Sequence, residues 1–231
     1  QRTDVLRITL QEGSVDMRSY FDKQLGLLNN EMLNMSDMCE DAISQAISAL
    51  LNGDRMKAAG LKKSVDQINQ QERYIENICV KLLMQQQPVA RDLRTISAAM
   101  KMVTDMDRIA IQSGENADSI AGGKRKPSAE TESLKEMADA VRKMVTMSIE
   151  AFVNKDISSA KEVLAFDDVV DEYFDNIKKE LIEKLKNNQA NGELILDLLM
   201  IDKYLERIGD HAVNIGKWVI FSINGEIEII S

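Results

Sequence analysis

The most chemically loaded stretch of the chain is DKYLERIGDHAVNIGKW, residues 202–218. Asp202, Glu206 and Asp210 stand at i, i+4 and i+8, with Asn214 one step further. On a helix that spacing stacks side chains along one stripe, so the oxygens project together. The stripe runs beside an apolar one (Leu205, Ile208, Val213, Ile215), where uncompensated carboxylates are costly. FDDVVDEYFD, residues 166–175, repeats the spacing with Asp167, Asp171 and Asp175, and with Asp168 and Glu172 offset by one. Two facing helices that each present an acid-x-x-x-acid pair can hold oxygen-preferring cations between them. Di-iron carboxylate bundles use this principle, although with His ligands that this stretch lacks. Asp167, Asp171, Glu206 and Asp210 are therefore the candidate metal ligands, with Asp139, Asp175 and Asp202 as secondary candidates. Spacing alone leaves a second reading open: a solvated acidic face ion-paired to Arg207, Lys178, Lys179 and Lys203.

Other chemistry finds less support. His211 is the only histidine, and a polar-face or capping role fits it better than ligation. Neither Ser-His-Asp nor Cys-His catalysis can be assembled, and there is no Gly-rich phosphate loop. A metal-dependent hydrolase or oxidase built on the carboxylates is the enzymatic alternative. Arg91, Asp92 and Arg94 open a helical stretch, and suit either a partner-binding patch or interhelical ion pairs. Cys39 and Cys79 lie on apolar stripes without CxxC spacing, which predicts buried thiols rather than a zinc ribbon or disulfide scaffold.

These residues need long helices to position them. A 3.6-residue period begins at Ser14 and runs through Leu28, Met32, Met35, Cys39, Ile43 and Ile47 to a break at LNGD, residues 51–54. Asp54 suits the cap of a second helix over 56–84, and Pro88 the first turn of a third over 89–120. Three more patterns cover 133–153, 156–186 and 193–223, with Asp156 at a capping position and NNQANG between the last two. The prediction is an all-α fold of six long antiparallel helices, arranged as two tandem three-helix bundles.

The two bundles read as one unit used twice. Sliding the chain by 102 residues sets Asp54 on Asp156 and Asp37 on Asp139; a slide of 99 sets MDRIA (106–110) on LERIG (205–209). Residues 1–120 then form the first repeat, the Gly- and Pro-bearing 121–130 the linker, and 131–231 the second. In the first repeat the four ligand positions become Asp107, Ile111, Val65 and Asn69, so any metal belongs chiefly to the second.

Composition agrees. Among 231 residues there are 11 Gly and 2 Pro, about half the usual share, with 13 Met and 4% aromatics, which suits helices better than a β-sandwich. A net charge of -9 disfavours a broad nucleic-acid surface and weakens membrane-surface attachment. No apolar run is long enough to span a bilayer and no export signal is visible, so the expected location is cytoplasmic. The start at Gln1 rather than Met reads as missing or processed residues.

LLMQQQPVARDLRTISAAMKMVTDMDRIA and LERIGDHAVNIGKW together resemble the PhoU family of bacterial phosphate-signalling regulators, and the similarity spans about Val15 to Ile220. The resemblance implies a cytoplasmic, commonly dimeric protein that couples a phosphate ABC transporter ATPase to a membrane sensor histidine kinase. It also implies multinuclear metal clusters, of iron or alternatively zinc or magnesium, on acid-x-x-x-Asp motifs, matched here by Asp167 with Asp171 and Glu206 with Asp210. The departures at Val65, Asn69 and Ile111 mark a divergent paralogue with a weaker first-repeat site.

Overall fold

A computed structural model of the protein describes residues 2–52, 55–84, 89–122, 132–187 and 191–226. Six helices account for nearly all of them: α1 (Arg2–Asn52), α2 (Arg55–Met84), α3 (Ala90–Gly122), α4 (Glu132–Asn154), α5 (Ile157–Lys186) and α6 (Gly192–Asn224). The six expected helices are all present. Helix α1 begins twelve residues before the expected Ser14, continuing through Gly13, which a helix tolerates at a cost of about 1 kcal/mol. Helix α3 runs two residues into the expected linker. Asp54, Pro88 and the rest of that linker, residues 123–130, lie outside the described residues.

Local chemistry sets the ends of the last two helices. Asp156, in extended conformation, accepts from the amides of Ser158 (2.9 Å) and Ser159 (3.3 Å) and from the Ser159 hydroxyl (2.7 Å). Those bonds satisfy donors that a helix start leaves open. Replacing Asp156 by Ala is expected to cost about 1 kcal/mol of stability, read by urea unfolding. Asn191 caps α6 through the Glu193 amide (3.0 Å). At its far end Gly225 takes the left-handed conformation (φ 81°) and returns its N–H to the Phe221 carbonyl (2.9 Å).

Helices α1–α3 pack on one another, as do α4–α6, and the two bundles join along α3–α6 and α1–α4. One continuous apolar core runs through both. Met32, Met35, Met102, Met106, Met137 and Met144 are all fully buried in it, the adaptable filler that a poorly aromatic core needs. Cys39 and Cys79 are buried, and burial pushes the Cys79 thiol up to about 12. Trp218 packs edge-on against Phe221 at 5.7 Å.

The α1–α4 seam shows the internal symmetry. Arg142 donates to Ser44 (2.8 Å) and Thr146 to Glu40 (2.7 Å). The 102-residue slide carries Glu40 onto Arg142 and Ser44 onto Thr146, so each bond is the image of the other. Along α3–α6 the pairs Asp105–His211 and Glu115–Tyr204 run in opposite directions on the two helices, which are antiparallel.

Helices α5 and α6 approach closely because α6 carries glycines where they touch. A Cβ on Gly216 would lie 2.6 Å from Leu164 Cδ1 and 3.3 Å from the Ala160 carbonyl oxygen. Leu164 can turn away, but the α5 backbone cannot. Gly216→Val is expected to destabilise the fold by about 1–3 kcal/mol, measured by urea unfolding.

Candidate functional site

Antiparallel α5 and α6 bring the two acidic stripes together. Gly209 lies between them: a Cβ there would sit 3.3 Å from Val170 Cγ1 and 3.8 Å from Asp167 Oδ1. The missing side chain lets α5 bring Asp167 close to the α6 backbone. Asp167 lies within the fields of Asp171, Asp210 and Glu206, and Asp202 within those of Glu206 and Asp175. The result is a ladder of carboxylates, Asp167, Asp171 and Asp175 on α5 against Asp210, Glu206 and Asp202 on α6.

The ladder is under electrostatic load. Burial, followed by the charges of Asp171, Asp210, Asp168 and Glu206, pushes the Asp167 carboxyl from its ordinary 3.8 to about 6. Burial and then Glu206 push Asp202 from 3.8 to about 8, against the pull of Lys203 and Lys178. Asp210 is raised too, by burial first and Glu206 next. Asp202 is wholly buried, and neither of its oxygens has a hydrogen-bond partner among the described residues. Glu206 Oε2 is likewise unpartnered, while Oε1 accepts from Lys203 Nζ at 2.6 Å. That ion pair belongs to the solvated-face reading, which accounts for this one oxygen and not for its neighbours.

The donor set fits a hard cation: every donor is a carboxylate oxygen, and several lack any compensating partner. Among the described residues no three His, Cys, Asp or Glu side chains already close around a common point. An ion would therefore be held only after side-chain rotation, with Glu206 exchanging Lys203 for the metal.

Asp139 is not part of the ladder. It is exposed on the side of α4 that faces α1, 3.5 Å from Arg142, in a groove also lined by Ile43, Ser44, Ile47 and Lys135. Spacing could not show this, because the acids of the ladder belong to α5 and α6. His211 points away from the acids toward α3 and meets Asp105 Oδ1 at 2.9 Å through Nδ1. Arg91, Asp92 and Arg94 also separate. Arg91 is exposed, Asp92 is buried in the first turn of α3, and Arg94 lies against Gly225 at the end of α6. A cation there complements the carboxyl end of the helix dipole.

The first repeat retains a reduced acidic pair, Asp107 with Glu72. Asp107 is buried with Oδ1 unpartnered, and burial raises its carboxyl. Its neighbour on α2 is Glu72, raised by burial and then by Asp107. Glu72 lies three residues beyond Asn69: the 102-residue slide sets Asn69 on Asp171, whereas the 99-residue slide sets Glu72 there. Arg108 and Arg73 lower both carboxyls, so this pair has its own counter-charges.

Comparisons with known proteins agree with the all-helical fold. A family model, the PhoU domain, matches residues 32–120 and again 134–219. A phosphate-specific transport system accessory protein PhoU homolog from Clostridium acetobutylicum is 32% identical over 215 residues, 90% of this chain and 96% of that protein. The crystal structure of PhoU from Pseudomonas aeruginosa superposes with a TM-score of 0.81 at 31% identity, covering 89% of this chain and all of that one. That of the phosphate transport system regulatory protein PhoU from Streptococcus pneumoniae reaches a TM-score of 0.84 at 27% identity, with 91% and 100% covered.

Proposed function

Because the chain belongs to the PhoU family, we propose that it is a regulatory adaptor of phosphate uptake and phosphate-starvation signalling. It couples a phosphate ABC transporter ATPase to a sensor histidine kinase by docking to each, in the cytoplasm, as a homodimer. The observation that carries this reading is the family match over both repeats, joined to relatives named as accessory proteins of a phosphate-specific transport system. Among the described residues no helix is long and apolar enough to cross a membrane, which suits contact with membrane proteins from their surface.

Metal ions, iron or alternatively zinc or magnesium, are held by Asp167, Asp171, Glu206 and Asp210. Bound metal supplies a fixed positive charge that neutralises the ladder and ties α5 to α6. The protein's own residues place the oxygens: Gly209 sets the helix separation, and Lys203, bonded to Glu206 Oε1 at 2.6 Å, would give up that oxygen to a bound ion. The enzymatic alternative gains nothing from the geometry, since the lone histidine is engaged with Asp105 rather than with the carboxylates.

The docking surface on α3 is led by exposed Arg91, with Val89 and Leu93 exposed beside it. Affinity capture from cells grown in high and in low phosphate tests the adaptor reading. Transporter ATPase or kinase is expected among the recovered proteins, in amounts that change with phosphate. An Arg91→Glu/Leu93→Glu variant is expected to recover several-fold less. Failure to recover either partner in both conditions would count decisively against the assignment.

A further inference from the structure

We propose that the groove between α1 and α4 binds inorganic phosphate, gripped by Arg142, Lys135 and Ser44 and recognised through Asp139. The site lies apart from the carboxylate ladder, goes beyond the docking role proposed above and does not depend on it.

The groove encloses about 220 Å3, room for a tetrahedral oxyanion and several waters, each of which takes about 30 Å3. Buried Ile43, Ile47 and Ala138 form its apolar floor. Donors stand over that floor. Arg142 gives one N–H to Ser44 Oγ at 2.8 Å and lies 3.5 Å from Asp139 Oδ1, longer than a good hydrogen bond. Its guanidinium fork has further N–H groups, in the geometry that matches two oxygens of a phosphate. Ser44, having accepted from Arg142, keeps a proton to give. Lys135 Nζ is 3.6 Å from Glu132 Oε1, a loose pair between exposed groups that contributes little. Its ammonium can turn to a stronger acceptor at small cost.

The internal repeat separates these cations from the demands of packing. The 102-residue slide pairs Ile43 and Ile47 with Val145 and Ile149, and Asp139 with Asp37, so floor and acid recur in the other half of the seam. It pairs Lys135 and Arg142 with Leu33 and Glu40, so the cations do not recur. Asp139 then decides which oxyanion fits. An ionised carboxylate only accepts, and it repels an anion unless that anion brings a proton to share. Inorganic phosphate keeps an O–H at neutral pH and above, whereas sulfate has none. A phosphate monoester gives up its last proton at about pH 6, so in mildly alkaline solution it offers almost none either. One acceptor set among donors thus singles out inorganic phosphate.

Calorimetric titration of the full chain in mildly alkaline buffer, with inorganic phosphate, sulfate and glycerol 3-phosphate, tests the proposal. Phosphate is expected to bind about tenfold more tightly than either of the others, the worth of one charged hydrogen bond. Arg142→Gln and Lys135→Glu are each expected to weaken phosphate by a similar factor. Lys135 is exposed, so its substitution leaves the core intact. Asp139→Asn is expected to bind sulfate several-fold more tightly than the parent, a gain that no folding defect produces. Glu206→Ala/Asp210→Ala should bind phosphate as the parent does; loss there would place the anion on ions held by the ladder and overturn the groove. No phosphate binding by the parent at millimolar concentration would overturn it too. So would parent affinity in both Arg142→Gln and Lys135→Glu, or equal affinity of the parent for phosphate and sulfate. None of these results touches the recovery of partners that tests the docking role.

Discussion

Glu206→Ala/Asp210→Ala is expected to lower the metal content of purified protein to background, as read by elemental analysis. Both residues lie on the α6 side of the ladder, and with them go half of the four principal carboxylates. The remaining pair, Asp167 and Asp171, sits on one helix and leaves the cation without the carboxylates of the facing helix. The substitution should leave the fold in place. Asp167, Asp202 and Asp210 are all strained upward in proton affinity by crowding with like charge, and two of the offending charges are removed. Metal-free double variant is therefore expected to unfold at a temperature no lower than metal-free parent at neutral pH. Equal metal content in variant and parent would sink the site.

The second large effect is a pH dependence of the metal-free protein. Asp167 and Asp202 bind protons more tightly when folded than when unfolded, so each contributes stability that is complete below its ordinary 3.8. That contribution fades as pH rises through about 6 for Asp167 and about 8 for Asp202. The Asp156 cap works in the opposite sense, its carboxyl being lowered, so its contribution fails only in more acidic solution. Between about pH 5 and pH 8.5 the melting temperature of chelator-treated protein should fall steadily. Saturating divalent ion should reverse the fall, because only the folded state collects the carboxylates. Asp202→Asn should flatten the upper part of the profile. At the alkaline end it is expected to gain about 1–3 kcal/mol over the parent, or roughly 2–4 °C per kcal/mol at this chain length. A flat profile for the parent would show that these carboxyls are already compensated in the folded chain.

The helices were readable because their apolar spacing is strong, and because Asp156 announces a start through chemistry confined to its own turn. The beginning of α1 was not, since residues before Ser14 lack the apolar stripe that marks a packed helix. The ladder followed from spacing: four-residue steps fix a stripe on each helix, and the antiparallel hairpin brings the stripes together. What spacing cannot show is which neighbour a stripe meets. Asp139 has the charge of a ligand but turns toward α1, and His211 follows a ladder residue yet reaches across to Asp105. Both outcomes depend on how helices from different repeats are laid side by side. Glu72 matches Asp171 only at the 99-residue offset set by α3 and α6, whereas the 102-residue offset puts Asn69 there, because the loop before the third helix differs in length between the halves.

The mirrored hydrogen bonds of the α1–α4 seam have one more consequence. A body whose halves are near copies presents nearly the same outline when turned end for end, so shape alone would let a partner seat it in two orientations. The carboxylate ladder, which belongs to α5 and α6 of one half, breaks that degeneracy. A partner with positive charge near its contact surface would distinguish head from tail before any side chains interlock, and filling the ladder with cations would erase the distinction. Occupancy of the site would then act as a compass for assembly, deciding which way round the protein is held rather than whether it is held at all.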